Sequence, residues 1–216
     1  MNHTLPVCRA RWRDVHDIVD LVAGPFADSA TGAWLVPDDR RRRAVLTSVV
    51  RVWTEHALLS GEAYLLQDHS AAAVWLHRYG PTPAPTGYGE RLAVACADHL
   101  DRFLQLDDVL GAHRPADPHN HLAFFAVTAQ PHRIRRAGAL LAASNARMGQ
   151  ARLPTYTEAN TPAERDLYAR HGYVAHEPFT LPDGTTTWPM WRSPGLRQPG
   201  RNPARPAICP YAAMSA

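Results

Sequence analysis

The stretch from Asn120 to Met148, NHLAFFAVTAQPHRIRRAGALLAASNARM, constrains the fold more than any other part of the chain. His121 to Val127 is apolar, of strand length, and carries aromatic and β-branched residues between polar Asn120 and the Gln130-Pro131 turn signal, so it reads as a buried strand. The text then turns basic at His132, Arg133, Arg135 and Arg136, and becomes alanine- and leucine-rich from Ala137 to Met148, as a helix interior does. A helix start leaves backbone N–H groups without internal acceptors, and its aligned peptide dipoles favour an anion. A strand, a basic loop and a helix in that order therefore form a candidate phosphate cradle. Arginines on a turn also read as a solvated face, so the loop alone does not decide.

The segments that follow favour the cradle. Leu153 to Glu158 reads as a second strand, Thr161-Pro162 with Glu164 is a helix start with proline at its first position, and Leu167 to His171 is stopped by Gly172. Tyr173-Val174 opens a further strand. Such a succession predicts an α/β core with its site beyond the carboxyl ends of the strands.

Upstream, Leu5 to Ala10 is a strand candidate. Val15, Ile18, Val19 and Val22 lie at helical spacing, with Gly24-Pro25 as the expected stop. Phe26 to Pro37, with Trp34 in it, reads as a partly apolar connection. A helix is expected from Asp38 to Leu59, and a hairpin from Glu62 to Leu66 and Ala71 to His77, the second arm containing Trp75. Gly80 to Gly87 is breaker-rich, and Glu90 to Leu110 has one helical pattern. His113, His119 and His121 then sit in a polar stretch whose spacing matches no metal signature, so no metal is expected. A closing hairpin spans Tyr173 to Phe179 and Thr185 to Arg192 around Asp183-Gly184. One domain over residues 1–193 is expected, followed by an irregular proline-, glycine- and arginine-rich tail over 194–216.

A chain of 216 residues with 45% apolar content can bury one core. The net charge of +3 comes with 23 arginines and no lysine, and these are scattered rather than gathered on a nucleic-acid motif, so no nucleic-acid partner is expected. Cys8, Cys96 and Cys209 are far apart and odd in number. They indicate no disulfide framework and fit a reducing cytoplasmic home. The N-terminus lacks the apolar core of a signal peptide, and no run reaches the roughly 18 apolar residues of a membrane span.

Leu167-Tyr168-Ala169-Arg170-His171-Gly172-Tyr173 and Trp188-Pro189-Met190-Trp191, with the element order over residues 7–192, resemble the GNAT superfamily of N-acetyltransferases. The resemblance implies a mixed, mostly antiparallel central sheet with helices on both faces. It also implies a notch between residues 122–128 and 153–158 that admits acetyl-CoA. Carried over, the cofactor contacts fall on Val127, His132, Arg133, Arg135, Arg136, Ala137, Gly138 and Asn160. Tyr168 becomes the acid for the departing thiolate, Glu158 the base with His121 as its substitute, and Phe26, Trp34 and Trp75 the pocket for a small-molecule amine. A homodimer is compatible with this reading. The family's loop carries glycine where this chain has Arg135, and only Ala137 fits its pattern well. Two rivals follow from that departure: a GNAT-fold enzyme of specialised metabolism working without acetyl-CoA, and a non-catalytic small-ligand binding or regulatory protein.

Overall fold

The computed structural model describes residues 6–80 and 85–194; Leu5, the centre of the Gly80 to Gly87 connection, Cys209 and nearly all of the expected tail lie outside them. An eight-stranded sheet organises the rest. Its path runs β1 (Val7–Arg9), β2 (Gly61–Leu66), β3 (Ala71–Arg78), β4 (His119–Val127), β5 (Thr155–Ala159), β8 (Thr186–Arg192) and β6 (Val174–Ala175), with β7 (Phe179–Thr180) paired to β8 off the path. All pairings are antiparallel except β4 with β5.

Side-chain alternation divides the sheet between two helix layers. Ala63, Leu65, Ala72, Val74 and Ala126 face α1 (Val15–Ala27) and α3 (Asp39–Ser60). Tyr64, Leu66, Ala71, Ala73, Trp75 and Leu122 face α6 (Arg133–Met148) and α7 (Pro162–Arg170). A third cluster joins α2 (Ala30–Leu35), α3, α4 (Tyr88–Cys96) and α5 (Leu100–His113) through Leu35, Leu46, Cys96, Phe103 and Leu106.

Several boundaries differ from the sequence expectation, each for a local reason. Gly24-Pro25 does not end α1, which runs to Ala27. Proline there forfeits only the bond to the carbonyl four residues back, and burial of Ala23, Gly24 and Ala27 holds the turn. The expected open connection over residues 26–37 contains α2, whose start is capped where the Ser29 hydroxyl accepts from Gly32 N–H at 3.0 Å. The single pattern over residues 90–110 is broken by Ala97, held at φ 50°, into α4 and α5 with a short 3-10 turn between. The first arm of the closing hairpin is split into β6 and β7 around Pro178. Cys8 is disulfide-bonded, contrary to the expectation from cysteine spacing, while Cys96 is a free buried thiol; cysteine usage therefore assigns no compartment. Among the described residues no helix is long and apolar enough to cross a membrane.

Gly61 is required by packing. A Cβ built on it would lie 2.0 Å from the Trp75 carbonyl oxygen, a backbone atom that cannot swing away. Gly61→Ala is expected to destabilise the fold by about 1–3 kcal/mol, read as a lower denaturant midpoint with unchanged slope.

Candidate active site

Two features of β4 open the centre of the sheet. It pairs with β5 only at Asn120 with Thr155 and His121 with Tyr156, after which the strands part. The first carbonyl past the split, Leu122, accepts from the Thr157 hydroxyl at 3.0 Å, so a side chain rather than a strand closes the bottom of the notch. The second feature is a bulge: Val74 pairs with Phe124 and Trp75 with Leu122, leaving Ala123 as an extra residue. Before the bulge Asn120 N–H donates toward the β5 side, to the Pro154 carbonyl; after it Thr128 N–H donates toward β3, to the Ser70 carbonyl. Alternation then directs the peptide groups of Phe125 and Val127 into the notch, where β5 no longer meets them. The Val127 N–H thus points into the notch.

The bulge also sorts side chains. Leu122 faces the α6 layer, whereas His119 and His121, with Phe124 and Ala126 beyond the bulge, face the layer of α1, α3 and α5. Both histidines are strand residues and buried, not members of a polar connection, and His113 is elsewhere, stacked on Phe179 at a ring separation of 3.9 Å. On β5, Tyr156 and Glu158 share their face because they are two residues apart and Ala159 faces the other way. His121 Nε2 and Glu158 Oε2 lie 2.8 Å apart. His119 packs against His121, Tyr156 and Trp191. Its Nδ1 is 2.7 Å from the Asp117 carbonyl, which can only accept, so Nδ1 carries the proton and Nε2 a lone pair.

Electrostatics reinforce this arrangement. Burial by itself would raise the Glu158 pKa, but His121, then Arg114 and the Tyr156 hydroxyl, hold it below the ordinary value of 4.5. A depressed carboxylate pKa contributes stability that is present above the unfolded-state value and is lost as pH falls through the folded-state value, so the Glu158 contribution is lost in acid below about 4.5. Burial lowers the His119 pKa against the opposing Asp117 carbonyl bond, with His121, Arg78 and Arg114 adding to the lowering. Several polar atoms of this cluster are buried without hydrogen-bond partners: His119 Nε2, His121 Nδ1 and the Nε atoms of Arg78 and Arg114. Their concentration in one place marks a site built for something polar.

Tyr168 lies across the sheet. It is buried on the α6 side, edge-on to Phe125 of β4 with ring centroids 6.3 Å apart, and interacts with the Thr157 side chain of β5. It therefore sits under the split between the two strands. Burial, with the nearby Glu164 charge, pushes its pKa well above the usual phenol value, so it keeps its proton until a strong base appears beside it.

The loop after β4 is ordered by Arg136, which donates to Gln130 Oε1 at 3.0 Å, to the Pro131 carbonyl at 3.3 Å and to Asp68 Oδ2 at 3.0 Å in the turn between β2 and β3. Arg136 is thereby committed to holding the loop. Arg133 and Arg135 are exposed, His132 takes a left-handed φ of 66° just before α6, Ala137 is buried, and Gly138 faces the His171 ring. Asn160 accepts from the Thr187 hydroxyl, and its N–H donates to Glu164 at the start of α7.

The three expected pocket aromatics do not gather. Trp75 has 0% exposure and belongs to the core beneath α6, on the opposite face from Phe26 and Trp34. Its place at the end of an alternating run, with the bulge opposite it, sends it away from the base. Trp34 is covered by the Arg102 guanidinium at 5.5 Å, and Phe26 leans on Trp53. Trp53 of α3, not singled out in the sequence, stacks on Phe124 at 5.8 Å and meets Phe103 edge-on. Tyr156, Arg78 and Arg114 were also missed. The first could have been found, since a residue two before Glu158 in a strand must share its face.

No family model matches the sequence. Among solved structures, the chain is similar to the histone acetyltransferase HPA2 and related acetyltransferase of Corynebacterium glutamicum, at 24% identity over 90% of this chain and 98% of that one, with a TM-score of 0.67. It is similar to arylalkylamine N-acetyltransferase 2 from Aedes aegypti at 11% identity, 88% and 99% coverage and a TM-score of 0.65. The C-terminal condensation domain of Ebony, in complex with β-alanyl-dopamine, shares the architecture at 12% identity, 88% and 98% coverage and a TM-score of 0.59. The fold is therefore the GNAT acetyltransferase fold, with its mostly antiparallel sheet, its split between β4 and β5, and helices on both faces.

Proposed function

We propose that the protein is an N-acetyltransferase moving an acetyl group from acetyl-CoA to the amine of a small molecule. The observation that carries this reading is the placement of a His–Glu pair on one side of the strand split and a proton-bearing tyrosine on the other. Acetyl transfer needs a neutral amine, a donor for the oxygen that becomes negative, and a proton for the thiolate.

Glu158 accepts from His121 Nε2–H and so fixes the tautomer in which Nδ1 offers a lone pair. His121 Nδ1 takes the amine proton, while Glu158 steadies the imidazolium. The order of roles is thus the reverse of the sequence expectation, with the histidine as base and the carboxylate orienting it. The Val127 N–H, freed into the notch by the bulge, donates to the developing oxyanion. Tyr168 Oη delivers its proton to the leaving sulfur.

The loop fits a pyrophosphate through its backbone. His132 at positive φ and the first turn of α6 present N–H groups, and Arg136 braces them. Arg133 and Arg135 add exposed charge at the same end. Calorimetry with CoA on the wild type, Arg135→Gly and Arg135→Ala tests the cofactor. The wild type is expected to bind, Arg135→Gly no more tightly, and Arg135→Ala up to about tenfold more weakly. Binding by the glycine variant alone means that Arg135 fills the phosphate space, and it favours the GNAT-fold enzyme that works without acetyl-CoA. Release of CoA thiol with any small primary amine, matched by an acetylated product, checks the reaction itself.

A further inference from the structure

We infer that the acceptor carries a carboxylate beside its amine and that Arg78 and Arg114 hold that carboxylate; the inference rests on the acetyl-transfer reading of the same site. Arg78 ends β3 and pairs across the sheet with His119, which has 1% exposure and an unpartnered Nε2. Arg114 follows α5 directly and is within electrostatic reach of His119 and Arg78. Both arginines bury an Nε that has no hydrogen-bond partner. Among the described residues Arg78 forms no ion pair, and Arg114 reaches only Asp107, at 4.0 Å, whose side chain is 79% exposed and well screened by water.

Glu158 is within electrostatic reach of both guanidinium groups, but its Oε2 is engaged by His121. Two like charges under partial burial, with Glu158 Oε2 already bonded to His121 and Asp107 out in water, call for an anion from outside. A guanidinium fork suits the two oxygens of a carboxylate. Glu158 would repel a dianionic phosphate held so close, whereas a single negative charge, with the ligand's own ammonium beside Glu158, keeps the site balanced. His121 and His119 are two residues apart on β4, roughly 7 Å along the strand, so amine and carboxylate must be close together. A compact amino acid fits that span.

The test uses three acids and their decarboxylated partners: glycine with methylamine, β-alanine with ethylamine, and L-phenylalanine with 2-phenylethylamine. With acetyl-CoA present, at least one acid should exceed its partner in kcat/KM by about tenfold or more. Arg78→Met and Arg114→Met should abolish that preference through KM, with kcat little changed. Arg78→Lys and Arg114→Lys, which keep the charge without the fork, should restore part of it and guard against misfolding. Equal or better turnover of the amines, or a preference that survives both Met substitutions, overturns the inference while leaving acetyl transfer standing. If none of the six compounds releases thiol, calorimetry without acetyl-CoA separates the two readings. An acid that binds the wild type but neither Met variant supports the carboxylate site and counts against acetyl transfer. No binding by any acid overturns the inference.

Discussion

His121→Ala is expected to lower kcat by roughly 10²- to 10⁴-fold, the usual worth of a positioned general base, with little change in the unfolding midpoint. Glu158→Gln should fall almost as far. The amide N–H would donate to His121 Nε2, move the ring proton to Nδ1, and so turn the lone pair away from the amine. The pH profile distinguishes the two roles. In the wild type the rate should depend on pH through the general base, and in His121→Ala that dependence should vanish. A Glu158→Gln variant that is dead beside a His121→Ala variant within threefold of wild type would make the carboxylate the direct base.

Trp75→Ala is expected to destabilise the protein by about 3–5 kcal/mol, the cost of emptying the site of a fully buried indole. Its ring packs among Leu122, Leu140 and Met190, and its Nε1–H has no hydrogen-bond partner, so Trp75→Phe should lose much less. Chemical denaturation measures both. Acceptor KM in Trp75→Phe should match the wild type, because the indole lies on the far side of the sheet from His121 and Glu158. A Trp75→Phe protein of near-normal stability with a markedly raised acceptor KM would return this residue to the pocket.

The parts of the fold legible in the sequence are those with strong local signals. Phe124-Phe125 in an apolar run marked β4, the Thr161-Pro162 cap marked α7, and the basic turn before an alanine-rich run marked α6. The helix α2, six residues with a glycine in its middle, has too few turns to show a period, and Pro25 masks the true end of α1. His121, Glu158 and Tyr168 stood out as candidates in the sequence because their types and the family resemblance agreed. Their relation to one another was not legible, since it depends on Ala123, which as an alanine between apolar residues carries no mark of being unpaired. Arg78 was hidden for a similar reason: a charged residue at a strand end ordinarily reaches water, and only the approach of α5 and β5 from distant sequence encloses it.

The extra residue in β4 makes length, rather than residue identity, the variable that couples the two halves of the strand. On its N-terminal side the strand contributes imidazoles to the α5 face; on its C-terminal side it contributes peptide groups to the opening. Substitution at Ala123 leaves both contributions in phase. Loss of one residue would rotate one half by a full face, taking either the histidines away from Glu158 or the Phe125 and Val127 peptide groups away from the notch. Chain variants that preserve this chemistry are therefore expected to change letters freely at Ala123 and to conserve the count of residues between His121 and Val127.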